Sequence, residues 1–349
     1  LSQKQRNTET HSLQHRIERQ RDISMLAFDG RMATELDTSD RSRENLRIAG
    51  SRRGDQTDSL LLGTDITWRR KKWRLDGALG YNVEKNKTDP PSQSVYFEAN
   101  IAFGYSAQND GSLIMSYADG FPSNDEFVTS RISLSDRNTE DTNRFGGIDV
   151  ARQLGDGFIR RVSFGGKLRE TTRNRRTSTG RINLDEDLPL TDFFSGQYRQ
   201  TMWDIDEWPS SDMEEVNALV QDSQIDWREN LLNAYDIERQ SGAGYLQADF
   251  RTSEAQKRFL IGNIGARIVD TRTWIDGYQE MDGALQPVSL KTSYTDVLPS
   301  ISTRIRIAER AGLTLGAARV MTQPAFNDLA PGIRFNYGDK TARAGNPEL

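Results

Sequence analysis

The sequence predicts an all-β protein, specifically an antiparallel transmembrane β-barrel to which this chain contributes about ten to twelve strands. Three observations support the prediction. Apolar residues recur at every second position in many segments, the central apolar positions carry no charge, and the links between segments alternate between short and long. Strands that separate two environments show the first two features, and hairpins joined in series across a bilayer show the third.

The composition excludes a helical membrane protein. The 349 residues carry a net charge of −5 and have a mean hydropathy of −0.72. No run approaches the roughly 18 apolar residues that a transmembrane helix needs. A barrel is compatible with these values, because alternating lipid-facing and lumen-facing residues average to a weak hydropathy signal. The absence of cysteine from the sequence also excludes disulfides and thiolate metal sites.

Each predicted strand is a segment in which apolar and other residues alternate. Successive side chains of a strand point to opposite faces, so every apolar set lines one face. In chain order the sets are Leu60, Leu62, Ile66 and Trp68; Trp73, Leu75, Leu79, Tyr81 and Val83; Val95, Phe97, Ala99, Ile101, Phe103 and Tyr105; Leu113, Met115 and Tyr117; Ile148 and Val150; Val162, Phe164 and Leu168; Leu246, Ala248 and Phe250; Leu260, Ile264 and Ile268; Val297, Ile301, Ile305 and Ile307; and Leu313, Leu315 and Ala317.

The charges on the opposite faces fit a barrel lumen. An Arg or Lys at the bilayer midplane costs roughly 2–4 kcal/mol, and the centres of the apolar sets contain none. A soluble β-sandwich would show the same alternation, so this pattern leaves both architectures open. The charges predicted to face the lumen are Arg74, Asp76, Glu98, Arg251, Arg267, Arg304 and Arg306.

The links between the strands favour the barrel over the sandwich. Outer-membrane barrels have short periplasmic turns and longer extracellular loops. Trp68 and Trp73 flank one charged short link, as expected of aromatic residues at a membrane interface. We therefore assign residues 1–58 to an extracellular loop or hairpin region and residues 59–349 to barrel strands and loops. The short links are 69–72, 107–111, 155–157, 252–257 and 308–312, and the long ones are 84–93, 119–143, 172–240 and 274–292.

Residues 172–240 form the longest predicted extracellular loop and contain the candidate ligand-binding side chains. Aromatic rings beside carboxylates suit a sugar, whose C–H surface stacks on rings and whose hydroxyls donate hydrogen bonds. The alternative is that the aromatic residues form a small core of the loop itself. Ser211 and Glu214 have capping-box spacing, which predicts a short helix with an apolar face. The candidate substrate-binding residues are Tyr198, Trp203, Asp204, Asp206, Trp208 and Trp227.

The sequence predicts no catalytic or metal site. His11 and His15 have the i, i+4 spacing of a helical metal site, but they lie in a polar segment with no marked partner. A phosphate-binding loop and a GxSxG motif are both missing from the sequence. We therefore expect no enzymatic activity, no cofactor and no nucleic-acid partner.

Five segments carry a family resemblance: DIERQSGAGYLQADF at 236–250, FLIGNIGARIVDT at 259–271, SYTDVLPSISTRIRI at 293–307, LTLGAARVMTQPAFNDLAPG at 313–332 and ARAGNPEL at 342–349. They resemble TonB-dependent receptors, in particular the Caulobacter-type proteobacterial subgroup. The resemblance implies an outer-membrane barrel of about 22 strands in a Gram-negative cell. It also implies a plug that fills the barrel and a TonB box that couples it to the TonB–ExbB–ExbD complex.

The same resemblance implies active import of a scarce nutrient across the outer membrane, with outer-membrane lipid around the barrel. A carbohydrate or oligosaccharide is favoured, because this subgroup is often associated with carbohydrates. A siderophore is the second possibility, since anionic ferric complexes would use lumen arginines. The alternative from another class is a non-transporting barrel or an extracellular β-domain for adhesion or recognition. We expect the plug, the TonB box and the last strands to lie outside this chain.

Overall fold

A computed structural model describes the following residues of the chain: 2–15, 23–29, 32–38, 46–108, 113–117, 120–199, 207–252, 260–281, 283–308, 311–332, 334–336 and 341–343. The described residues form antiparallel sheets with two short α-helices, which confirms the all-β prediction. In this part of the chain, no helix is both long and apolar enough to cross a membrane.

An eleven-stranded antiparallel sheet dominates the fold. Its main path is a meander, because each strand pairs with the next one along the path. Beyond Thr88, strand β6 (Ser92–Ala99) replaces β5 (Trp73–Thr88) between the two neighbours of β5, and β13 (Asp226–Glu229) pairs with β10 (Ile159–Pro189). The path runs through β1 (Ser2–His15), β4 (Leu46–Arg70), β5 (Trp73–Thr88), β9 (Val128–Gln153), β10 (Ile159–Pro189), β14 (Tyr235–Arg251), β15 (Leu260–Met281), β16 (Ala284–Ala308) and β17 (Ala311–Ala318).

The remaining elements belong to the connections. The prediction of a single strand from Val95 to Tyr105 is wrong. This segment contains parts of two strands, β6 and β7 (Phe103–Ala107), which belong to different sheets. Ala99 pairs with Leu46, the first described residue of β4, so the ladder ends there. The elements are β2 (Ile23–Asp29), β3 (Met32–Thr38), β7 (Phe103–Ala107) and β8 (Leu113–Tyr117) in one sheet, the hairpins β11 (Phe194–Arg199)–β12 (Glu207–Ser211) and β18 (Arg334–Asn336)–β19 (Thr341–Arg343), the helices α1 (Met213–Asp222) and α2 (Phe326–Leu329), and the 3-10 turns Leu190–Phe193 and Leu231–Asn233.

The meander has a short-turn end and a long-connection end. Links of a few residues, 71–72 and 154–158, lie at the first end, whereas the connections from β5 to β9 and from β10 to β14 lie at the second. The short links predicted at 69–72 and 155–157 therefore lie at one end of the sheet, as expected. Two other link predictions are wrong: 107–111 lies between β7 and β8, outside the eleven-stranded sheet, and residues 128–143 of the long link predicted at 119–143 belong to β9. The alternation also fails between β15 and β16, where Met281 pairs with Ala284 in place of the long link predicted at 274–292.

The strands extend further towards the long-connection end than predicted. Residues 172–189 continue β10 and residues 235–240 begin β14, so the loop predicted at 172–240 is confined to 190–234. Residues 172–181 are polar on both faces, which removes the apolar alternation there and makes the segment look like a loop. Short alternations remain at Ile182 and Leu184 and at Tyr235 and Ile237, whose side chains pack into the two hydrophobic cores. Arg173 and Asp141 form one of the cross-strand ion pairs there, with Nε–Oδ1 at 2.6 Å.

The described residues within 1–58 are likewise strands. Strand β1 pairs with β4 from Ser2–Ser59 to His15–Leu46 without a register shift. The predicted extracellular loop or hairpin region is therefore a long hairpin whose connection contains β2 and β3. Its polar side chains hid the strand period, because most positions on both faces are hydrophilic.

One face of the sheet, the apolar face, carries an exposed band of hydrophobic side chains near the short-turn end. Paired residues of neighbouring strands point to the same side, so the band continues from β4 to β17. Leu168 is 70% exposed and Leu246 is 60% exposed, which shows that nothing in the described residues covers it. The band contains Leu62, Ile66, Trp68, Leu75, Leu79, Ile148, Val150, Phe164, Leu168, Leu246, Ala248, Ile264, Ile268, Val297, Ile301, Leu313 and Leu315.

The main hydrophobic core covers the same side of the sheet at the long-connection end. Residues 190–229, here called the 190–229 module, pack their 3-10 turn, β12 and α1 onto strands β4, β6 and β9. The buried face of α1 confirms the predicted helix. The core contains Leu46, Ile48, Val95, Phe97, Phe127, Ile132, Leu134, Leu190, Phe193, Trp208, Met213, Val216 and Val220.

The helix begins one residue later than the predicted capping box. Asp212 is the N-cap of α1, and its Oδ1 accepts hydrogen bonds from the backbone N–H of Glu214 at 2.8 Å and of Glu215 at 3.4 Å. Ser211 precedes the N-cap and is buried, and its hydroxyl donates to the sulfur of Met213 at 3.8 Å.

Candidate functional site

The structure separates the two predicted groups of functional residues onto opposite sides of the sheet. The loop aromatics belong to the 190–229 module on the apolar-face side. A Cβ added to Gly50 would meet Ser211 and Met213, so the module lies on the side to which Leu46 and Ile48 point. The predicted lumen charges project from the other face, here called the polar face. The two groups therefore do not form one site.

Trp208 and Tyr198 pack against each other within the module. Their ring centroids are 5.1 Å apart, and the Tyr198 ring lies 5.3 Å from that of His11. Trp208 is buried in the core, whereas Tyr198 is 44% exposed. For Trp208 this favours the alternative that the aromatics form a core of the loop. Trp203, Asp204 and Asp206 lie outside the described residues.

Trp227 lies apart from that pair, on β13. Its ring and the Ile225 side chain sit over Gly180 of β10, where a Cβ would come within 2.6 Å of Ile225 and 3.2 Å of Trp227. Trp227 is 39% exposed, so one part of its ring remains available to a ligand. Its role in substrate binding stays a prediction.

The polar face carries cross-strand hydrogen bonds and ion pairs along its height. Arg74 Nε lies 2.6 Å from Asp76 Oδ2, and Thr67 donates to the other oxygen of Asp76 at 2.7 Å. Arg161 and Asp249 join β10 to β14 in the same way, with Nε–Oδ2 at 2.5 Å. In these contacts each carboxylate accepts hydrogen bonds from a neighbouring arginine or hydroxyl, as is usual on a hydrated polar surface.

A groove of about 270 Å³ opens in the middle of the polar face. Phe145 lies over Gly80, and the Lys167 ammonium stands 4.8 Å from the centre of the Phe145 ring. Lys167 and Arg267 form no salt bridge among the described residues, so the groove has two cations without carboxylate partners. The lining residues are Ala78, Phe145, Gly147, Asp149, Gly166, Lys167, Ala243, Tyr245 and Arg267.

The other predicted lumen charges are spread along the sheet. Glu98 of β6 pairs with Arg47 of β4 at the long-connection end. Arg304 lies opposite Ile261 near the short-turn end, and Arg251 pairs in register with that same Ile261. Arg306 follows on the same face of β16. These charges line one face but converge on no single point.

A cluster that the sequence did not predict lies on the polar-face side at the long-connection end. Phe326 of α2 sits beneath two guanidinium groups, with its ring centre 4.8 Å from Arg239 Cζ and 5.4 Å from Arg173 Cζ. Asn327 Oδ1 accepts hydrogen bonds from the Tyr235 hydroxyl at 2.8 Å and from Arg173 at 3.4 Å. Its residues lie far apart in the sequence, so no local pattern could reveal it.

The two arginines of this cluster have different electrostatic surroundings. A bidentate hydrogen bond to Asp141 raises the pKa of Arg173. Burial lowers the pKa of Arg239, whose side chain forms no salt bridge among the described residues and donates instead to the Pro324 carbonyl at 3.0 Å. The Nε of Arg239 is buried without a hydrogen-bond partner. Of the two arginines, Arg239 therefore has the weaker set of hydrogen-bond and ion-pair partners.

Among the residues the structure describes, no three His, Asp or Glu side chains group as a metal site. The chemistry available on the polar face is hydrogen bonding and ion pairing, with cations more numerous than carboxylates. Such a surface suits a hydrated polar or anionic solute. No protein-family model, curated protein or solved structure matches this chain.

Proposed function

We propose that this chain is part of an outer-membrane β-barrel of the TonB-dependent receptor class, which imports a scarce nutrient into a Gram-negative cell. In this proposal the apolar face contacts lipid and the polar face lines the lumen. The observation that carries it is the exposed apolar band on one face of a long antiparallel meander, opposite a face rich in charge. Exposing such a band to water would cost free energy, whereas contact with the lipid chains of a bilayer would be favourable.

The dimensions of the band support a bilayer environment. From Val162 to Leu168 the strand rises about 20 Å at about 3.3 Å per residue, close to the ~25 Å apolar band of outer-membrane barrels. The charges on this face lie at its two margins. Asp270 pairs with Gly242, at the level of Leu168, and Arg144 and Arg272 lie just beyond it. Arg152 lies at the other margin. Trp68 and Trp73 are half exposed near the short turns, at the level expected for an interfacial aromatic belt.

A carbohydrate stays the favoured nutrient, because the resembling subgroup is often associated with carbohydrates. The groove on the polar face supports a second choice, an anionic ferric siderophore, since Lys167 and Arg267 offer cations without carboxylate partners. Energy for import would come from the TonB–ExbB–ExbD complex, to which receptors of this class couple through their plug and TonB box.

One observation favours the alternative of a non-transporting barrel for adhesion or recognition. The 190–229 module packs on the apolar-face side, so its exposed residues Tyr198 and Trp227 point away from the proposed lumen. A packed outward-facing module suits contact with a partner outside the barrel. Transport and recognition share the same membrane topology, so two experiments are needed.

The first experiment tests the membrane topology. Because the chain has no cysteine, a single cysteine can report on each face without removing others. We expect a bimane label at Ile264→Cys to be quenched by brominated lipid in vesicles, and a label at the neighbouring Asn263→Cys to be quenched by aqueous iodide. Equal quenching of the two labels by lipid would contradict opposite faces.

The second experiment tests import. Cells that depend on the full-length receptor should grow on the candidate glycan or ferric siderophore only when TonB is present. Growth that does not change when TonB is deleted would remove energised import and leave the recognition alternative.

A further inference from the structure

Residues 324–332, here called the strap, fold across the polar face at the long-connection end. Leu329 is buried with Tyr235, Ile237 and Ile275. Pro331 lies over Gly277, where a Cβ would come within 2.7 Å of its ring. Since Tyr235 pairs with Gly277, the strap crosses β14 and β15 at one level of the sheet. The contacts fix where Phe326 and Asn327 sit.

Phe326 and Asn327 occupy a site built by three side chains of the sheet. The guanidinium groups of Arg173 and Arg239 both face the Phe326 ring, so each cation is attracted to the negative face of the ring. The Tyr235 hydroxyl and Arg173 both donate to the amide oxygen of Asn327. The site thus recognises a flat ring together with an oxygen acceptor beside it.

The strap satisfies this site only in part. It supplies neutral acceptors, the Pro324 carbonyl and the Asn327 amide, to a cluster whose Arg239 has no carboxylate partner among the described residues. Arg239 is 9% exposed, and its Nε has no acceptor. A hydrogen bond from a guanidinium to a neutral carbonyl is already charge-assisted, but an arginine–carboxylate pair is frequently bidentate, so one carboxylate can accept from Nε as well. An anionic oxygen would therefore suit the site better than the strap does.

We propose that Arg173, Arg239 and Tyr235 form a binding site for an aromatic carboxylate, and that Phe326 is an internal competitor for it. The ligand ring replaces Phe326 under the guanidinium groups, and its carboxylate accepts from Arg239 and from the Tyr235 hydroxyl. Only the location of this site in a lumen rests on the proposed function. Binding itself is independent of membrane topology and of TonB.

The test measures benzoate binding to the full chain in detergent by titration calorimetry. We expect Phe326→Ala to bind benzoate about tenfold more tightly than wild type, because the internal competitor is gone. Adding Arg239→Gln to that variant should remove the gain. Asp328→Ala, an exposed change in the same helix, is the matched control and should leave affinity unchanged.

Two further probes separate ring from charge. Benzamide keeps the ring without the charge, and cyclohexanecarboxylate keeps the charge without the aromatic face, so both should bind Phe326→Ala at least tenfold more weakly than benzoate. Equal binding of either probe, or no tighter benzoate binding by Phe326→Ala, would overturn the proposal.

A measurement on the otherwise unchanged chain guards against misfolding of the variants. With 4-fluorophenylalanine at position 326, saturating benzoate should shift the fluorine resonance towards its solvent-exposed value. A resonance that stays in place at saturating benzoate would also overturn the proposal. None of these results depends on uptake, so failure here leaves the import proposal to its own test.

Discussion

Arg52 of β4 and Glu214 of α1 form a salt bridge, with Nη1–Oε1 at 2.8 Å, that joins the sheet to the 190–229 module. This hydrogen bond raises the pKa of Arg52. Glu214 is largely exposed, so solvent screens the pair and its contribution to stability is small. The attachment of the module depends more on close packing at Gly50, two residues before Arg52 on the same strand.

Gly50→Val should detach the module from the sheet. A Cβ at this position would lie 2.1 Å from Ser211 Oγ and 2.8 Å from the sulfur of Met213, so β12 and α1 must move. Overpacking of this kind costs about 1–3 kcal/mol. Hydrogen exchange of the α1 amides should accelerate. Ala49→Val, which projects from the opposite face, is the control, and equal acceleration in both variants would contradict this packing.

Asp212→Ala should destabilise α1 by about 0.5–2 kcal/mol, the usual cost of losing an N-cap. The substitution leaves the Glu214 and Glu215 amides without their acceptor. Amide exchange in the first turn of α1 is the readout. Asp212→Asn keeps an oxygen acceptor and should retain most of the protection; similar losses in both variants would show that the charge matters more than the cap.

His11 should make the contact between β1 and the module pH-dependent. Burial lowers the pKa of His11 from its ordinary value of about 6.5, and nearby Glu9 opposes this effect. The unfolded chain therefore binds the proton more readily than the folded chain. Stability should be highest above the unfolded pKa and should fall as the pH drops through that value to the folded pKa.

NMR titration of His11 provides the measurement. We expect a pKa below 6.5 in the wild type and a value closer to 6.5 in Tyr198→Ala, because the Tyr198 ring covers the imidazole. His11→Gln should remove this part of the pH dependence of unfolding. A wild-type value above 6.5 would mean that Glu9 outweighs burial.

The alternation of side chains allowed the faces of the sheet to be predicted, but not the full length of the strands. Leu246 and Arg251 lie on opposite faces of β14 as predicted, because each face of that strand has a different environment. Beyond the apolar band, Thr171 to Arg176 of β10 are polar on both faces, so they carry no period that distinguishes a strand from a loop. Backbone pairing and ion pairs such as Arg173–Asp141 extend the ladder there.

Two other features, the turn between β15 and β16 and the cluster around Phe326, were not predicted, for separate reasons. The turn between β15 and β16 had a visible signal, the dipeptide Asp-Gly at 282–283, which is typical of tight hairpins. Gly283 has a φ of +76°, which favours glycine. The cluster around Phe326 had no local signal, since Arg173 is 153 positions away in sequence and only the folded sheet brings them together. Tertiary contacts of this kind cannot be predicted from periodicity.

Leu246→Arg should destabilise the chain in a bilayer far more than Gln247→Arg. Leu246 lies in the middle of the exposed apolar band, in register with Phe164 and Ala266. If that band contacts lipid, an arginine there costs about 2–4 kcal/mol. Gln247 projects from the polar face, where its amide donates to Asp249 at 2.9 Å and where an arginine would find the same carboxylate.

Urea unfolding in phospholipid vesicles, followed by tryptophan fluorescence, measures the difference between these two variants. Repeating it in vesicles with a thinner hydrocarbon core should reduce the penalty at Leu246, because the arginine can then reach the interface more easily. Equal destabilisation by the two arginines, or a larger effect at Gln247, would show that the apolar band does not face lipid and would favour a soluble β-domain.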